Sequence, residues 1–100
     1  MITGPLCEAA RALVRVSRRK LAVRSNVDPA VIEAFENGSD VPDDAVTLAL
    51  QTALEELGAI FIPEQGALGA GVRLKFSRSV TKRIDIFENE GGPSADDDVR

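Results

Sequence analysis

The sequence predicts a mainly α domain of four to five helices followed by a C-terminal β-hairpin, and three observations predict it. Apolar residues recur at helical spacing in successive segments up to Leu57. Those segments are punctuated by capping residues and glycines. After Gly58 the apolar period changes from that of a helix to that of a strand. One hundred residues fit a single domain, and a chain of this size buries roughly 60–70% of its unfolded surface. The expected division is a helical domain over residues 1–58, a hairpin extension over 59–77, an unassigned short element over 78–90 and an acidic tail over 91–100.

Leu6, Ala9, Ala10, Leu13 and Val14 stand at i, i+3, i+4, i+7 and i+8, which predicts an amphipathic helix over residues 5–16 with Cys7 on its flank. Ser17 is an N-cap for a second, short helix whose apolar side is Leu21 and Ala22 and which ends near Arg24. Ser25 and Asn26 make the turn. Asp28 caps a third helix, with Pro29 at its first position, where a missing N–H is harmless. Its inward residues are Val31, Ile32 and Phe35. Asn37-Gly38 closes it, and the Asn37-Gly38-Ser39 triplet reads as a helix stop rather than a glycosylation acceptor. After a linker over residues 39–42, Asp43 and Asp44 stand in the first turn of a fourth helix, favourably against its dipole. Val46, Ala49, Leu50, Ala53, Leu54 and Leu57 form its apolar stripe, and Gly58 stops it.

Residues 59–62 (AIFI) and 72–76 (VRLKF) read as the two strands of a hairpin, with Val72, Leu74 and Phe76 on one face. The connection over 63–71 holds three glycines but lacks the Gly-Lys-Ser/Thr ending of a phosphate loop, so a mobile hairpin loop is expected. Residues 77–90 fit either a helix, through Val80, Ile84 and Phe87, or a short strand through Ile84 and Ile86. Residues 91–100, with Asp96-Asp97-Asp98, have the composition of a disordered tail and lack the spacing of a calcium loop.

The single cysteine and the absence of histidine exclude an intrachain disulfide and the usual zinc ligand sets. No activated nucleophile or phosphate loop remains to support an enzyme, and no cofactor is expected. No segment approaches the roughly 20 apolar residues of a membrane span, and no secretory leader is recognisable, so a cytoplasmic protein without membrane contact is expected. Net charge is −4, but its distribution matters more. Residues 11–24 hold Arg11, Arg15, Arg18, Arg19, Lys20 and Arg24 with no acid. Residues 28–44 hold Asp28, Glu33, Glu36, Asp40, Asp43 and Asp44 with no base.

The helix beginning at Ser17 carries Arg18, Arg19 and Lys20 in its first turn, where the dipole disfavours cations by roughly 0.3–1 kcal/mol each when exposed. Free amides and added cations together suit an anion such as a phosphate. In residues 17–38 a cap, a basic turn, two apolar-periodic segments and a glycine stop follow the spacing of a helix-turn-helix, which points to DNA. Backbone contacts from Arg18, Arg19, Lys20 and Arg24 are expected to dominate such binding, with steep salt dependence.

Over about residues 3–58 the chain resembles the phage-repressor and Cro type of helix-turn-helix proteins, the XRE family. The marks are Arg11, Ser17 with Leu21-Ala22, Val27, Ile32, Phe35-Glu36 with Gly38, Pro42, and Thr47-Leu48. The FIPE and GVRL segments also look like an extension of small stand-alone bacterial members. The resemblance implies backbone contacts at Ser17 and Arg18; position 18 is commonly glutamine in the family, so arginine departs from the pattern there while keeping a phosphate-binding role. It places Asp28, Pro29, Ala30, Glu33 and Ala34 on the outward positions of a recognition helix, and implies a structural salt bridge between Arg11 and Glu36. Asn37 adds a candidate phosphate contact. Base readout from this face is expected to be weak, because Arg, Lys, Asn and Gln read base edges best. Glu33 can accept from a cytosine amino group, and Ala30 or Ala34 can touch a thymine methyl. The resemblance further implies a regulator of transcription that binds double-stranded DNA as a homodimer. The alternative is a protein-interaction module on the same fold, with a basic protein as partner.

Overall fold

In a computed structural model, residues 1–76 are described; the expected element over 78–90 and the tail over 91–100 lie outside the described residues. The order is α1 (Gly4–Val14), α2 (Arg18–Ser25), α3 (Pro29–Asn37), α4 (Asp44–Glu56), β1 (Ala59–Ile62) and β2 (Gly71–Leu74). The molecule is thus mainly helical with a small antiparallel sheet.

Each helix begins at a side-chain cap. Thr3, Ser17, Asp28 and Asp43 accept from the amides of Leu6, Lys20, Ala30 and Val46, satisfying a donor that has no carbonyl ahead of it. Asp43 is therefore the cap of α4 rather than part of its first turn. α1 stops two residues earlier than its apolar pattern predicts, because Arg15 adopts a left-handed conformation (φ 63°) and closes the helix. α2 ends in the same way at Asn26 (φ 60°), and that one residue turns the chain into α3.

Ile2, Cys7, Ala10, Leu21, Ala22, Ile32, Phe35, Leu50, Ala53, Leu54 and Ala59 form one core drawn from all four helices and β1. Two expectations for α1 fail here. Cys7 is fully buried, not flanking, and Ala9 and Leu13 are exposed. The inward stripe is Gly4, Cys7, Ala10, Arg11 and Val14, because a buried ion pair draws Arg11 inward and rotates the helix about its axis. Gly4 permits this docking: a Cβ there would collide with the Phe35 carbonyl oxygen and sit 2.9 Å from its carbon.

β1 and β2 pair with Phe61 opposite Val72 and Ala59 opposite Leu74. Both strands lie against α1, and β1 also touches α4. Val72 and Phe61 join the edge of the core. β2 spans 71–74 rather than 72–76, so Phe76 follows the strand and is 43% exposed. The glycine-containing connection is expected to be a mobile loop; it contains an inner turn in which Gln65 and Leu68 exchange two backbone hydrogen bonds of 2.9 Å, with Gly66 at φ 60°.

Candidate nucleic-acid interface

Helical geometry divides the basic block of α2. Residues three and four apart share a face. Arg18, Leu21, Ala22 and Ser25 therefore make the inward stripe, and Arg19, Lys20, Val23 and Arg24 point outward and are exposed. No acid stands in the first turn of α2. Ser17, Arg19 and Lys20 thus meet at one end of the helix, beside amides that the helix itself leaves unpaired. Arg24 lies four to seven residues on, about 6–10 Å along the axis. There it borders a shallow groove with Ala45, Leu48 and Thr52 of α4. It shares a face with Lys20 but lies away from the end of the helix where Ser17 and Arg19 stand.

α3 shows its outer face as expected. Asp28, Pro29, Ala30, Glu33 and Asn37 are exposed and Ala34 is half-buried, so Ala30, Glu33, Ala34 and Asn37 run along one side. Its inner stripe is Ile32, Phe35 and Glu36. A groove of about 440 Å³ runs between the two helices, lined by Arg19, Ala22, Val23, Asn26, Val27, Asp28 and Pro29. Arg19 and Asp28 give it opposite charges.

The most constrained polar group among the described residues is Glu36, whose side chain is fully buried. Arg11 reaches across from α1 as a fork, its Nε donating to Oε2 at 2.8 Å and its Nη2 to Oε1 at 2.7 Å. The Nη1 of Arg11 donates to the carbonyl of Val16 at 3.2 Å, tying down the link between α1 and α2. Arg18 then donates from Nε to the same Oε1 at 2.9 Å. The pair of Arg11 and Glu36 is the one that the family resemblance implies. The part played by Arg18 is not among the expectations from sequence, although its place on the stripe of Leu21, Ala22 and Ser25 is a readable signal.

The titration of this cluster follows from its burial. Desolvation alone would raise the Glu36 carboxyl, but hydrogen bonds from Arg11, Arg18 and Cys7 outweigh it and hold the group below the usual carboxylate range. Arg11 is raised, chiefly by its bond to Glu36. Burial, helped by the hydrogen bond to Glu36, pushes the Cys7 thiol up from 9.0 to about 12, so it stays protonated at neutral pH. A protonated, buried thiol is a poor nucleophile.

Among the described residues, no group of three or more His, Cys, Asp or Glu side chains could hold a metal ion, and no helix is long and apolar enough to cross a membrane. No protein-family model matches the chain, and comparison with curated proteins gives no match. The α2–α3 arrangement therefore rests on its own geometry.

Proposed function

We propose that the chain is a repressor-like helix-turn-helix protein of the XRE type that binds double-stranded DNA. The observation that carries this reading is the α2–α3 unit: two short helices joined by residues 26–28 with Asn26 left-handed, with exposed cations at the start of the first and an uncovered outer face on the second. In such a unit α3 enters the major groove and the start of α2 lies against the backbone. Ser17, Arg19 and Lys20 supply the phosphate contacts. Arg24 reaches the backbone only where the duplex follows α2 toward its far end. Asp28, Pro29, Ala30, Glu33 and Ala34 face the groove and discriminate weakly, and Asn37 adds a phosphate contact.

The protein acts as a homodimer on two half-sites and regulates transcription in the cytoplasm; it is not an enzyme. Fluorescence anisotropy with labelled duplex tests the binding. Wild type should bind at low salt. Arg19→Ala and Lys20→Ala, each of which takes one cation off the phosphates, should each reduce the salt slope by about 0.9. Absence of binding at low salt, or slopes that ignore both substitutions, would overturn the reading.

One observation favours a second reading. Asp28, Glu33, Asp40, Asp43 and Asp44 are all exposed, and residues 28–44 contain no base. That surface fits a basic protein partner, in which case the fold would serve protein interaction without reading DNA. Charge reversal at Glu33 separates the two: Glu33→Lys should strengthen duplex binding and weaken binding to a basic peptide.

A further inference from the structure

We propose that Glu36 is a positioning residue for Arg18, holding its guanidinium as a fixed fork with one side on the buried carboxylate and the other offered to a DNA phosphate. The proposal rests on the DNA-binding reading above and adds a residue to its machinery. Glu36 is already neutralised without Arg18, because Arg11 engages both carboxylate oxygens and is itself only 15% exposed. A second guanidinium on the same oxygen leaves the cluster with one positive charge in excess. That excess sits at the exposed end, since the Arg18 side chain is 34% exposed while Glu36 is sealed.

Among the described residues, only Nε of Arg18 is committed, at 2.9 Å. The guanidinium presents five N–H donors in a rigid plane, so four remain at its Nη atoms on a side chain that is 34% exposed. A surface arginine normally loses rotamer freedom when it grips a phosphate. Here that freedom is already spent in the free protein, so the donors wait in place. A lysine could not substitute, because a single ammonium at the end of a flexible stem cannot sit on Glu36 through one side and on a phosphate through another.

Charge and geometry can be separated in the 100-residue chain with Arg18→Ala and Arg18→Lys, both of which leave the Arg11 fork on Glu36 intact. Arg18→Ala should weaken duplex binding by about tenfold at low salt and lower the salt slope by about 0.9. Arg18→Lys should lose nearly as much, despite keeping the charge. Nitrogen relaxation at Arg18 Nε in the free wild-type protein should show a side chain as ordered as the backbone.

An Arg18→Lys variant that binds within twofold of wild type would overturn the proposal while leaving DNA binding standing, as would an Arg18→Ala variant with unchanged affinity. A freely mobile Nε would overturn it without reference to DNA. If wild type fails to bind duplex at low salt, the DNA reading falls and the proposed role falls with it.

Discussion

α2 and α3 are adjacent helices of eight and nine residues with opposite charge, and they hold their places by different means. α3 is anchored by burial: Ile32 and Phe35 enter the core, Pro29 presets its start, and Gly38 (φ 79°) ends it with amide bonds back to Ala34 and Phe35. α2 buries only Leu21 and Ala22. Its inward stripe ends in Arg18, which reaches a carboxylate supplied by α3. The acidic helix thus secures the basic one, and the charges of α2 do not act as a single patch. Arg18 is tied to the buried carboxylate, and Arg19, Lys20 and Arg24 are exposed.

The sharpest way to break this relation is to remove the shared carboxylate. Glu36→Ala leaves the Arg11 guanidinium in a largely buried site without its counter-ion and should destabilise the fold by about 3–5 kcal/mol, measured by urea unfolding. Arg11→Ala should fall short of that loss, because Arg18 still faces the carboxylate. Equal losses in the two variants would show that Arg18 contributes nothing to holding Glu36.

Gly4→Ala attacks the same junction from α1. Its added methyl meets the backbone at Phe35 and Glu36, which cannot move without shifting α3. A loss of about 1–3 kcal/mol is expected from overpacking. A neutral effect would mean that α1 does not approach α3 this closely in solution.

The pH dependence has two flanks of opposite sign. Glu36 is held below its unfolded value of about 4.3, so its stabilisation is present above that pH and is lost as pH falls through the folded value. Cys7 is raised from 9.0 to about 12, so its contribution is complete below pH 9 and is lost as pH climbs toward 12. The slope on that flank approaches about 1.4 kcal/mol per pH unit. Cys7→Ala should flatten the alkaline flank and, by removing one of the hydrogen bonds that hold Glu36 down, make the acidic one shallower, which pH-dependent melting can read directly.

A smaller effect is expected at the caps, where Ser17→Ala should cost about 1 kcal/mol by removing the acceptor for the Lys20 amide. The smallest belongs to Arg19 and Lys20. Their replacement by alanine should raise the melting temperature slightly, since among the described residues neither side chain takes part in a hydrogen bond or ion pair of the folded chain and the positive end of α2 disfavours exposed cations.

The caps and stops explain why the middle of the fold is legible in the sequence. Ser17, Asp28-Pro29 and Gly38 each dictate a local backbone state, and each does so here. α1 misleads because counting apolar residues treats arginine as a surface group, whereas Arg11 turns inward to reach Glu36, twenty-five positions away. No local pattern carries that distance. Cys7 is readable, since Cys7, Ala10 and Val14 stand at i, i+3 and i+7, but the competing stripe of Leu6, Ala9, Ala10, Leu13 and Val14 counts more apolar residues. The outer face of α3 is readable from spacing, but the division of the α2 cations needs one more step: noticing that Arg18 shares a stripe with Leu21 and Ala22.

Mapping amide chemical shifts of the labelled 100-residue chain during titration with duplex DNA tests the central claim most directly. The expected result is a set of changes concentrated at Ser17, Arg18, Arg19, Lys20 and the outer face of α3, growing as salt is lowered. Shifts that are absent at low salt, or confined to α4 and the hairpin, would contradict it.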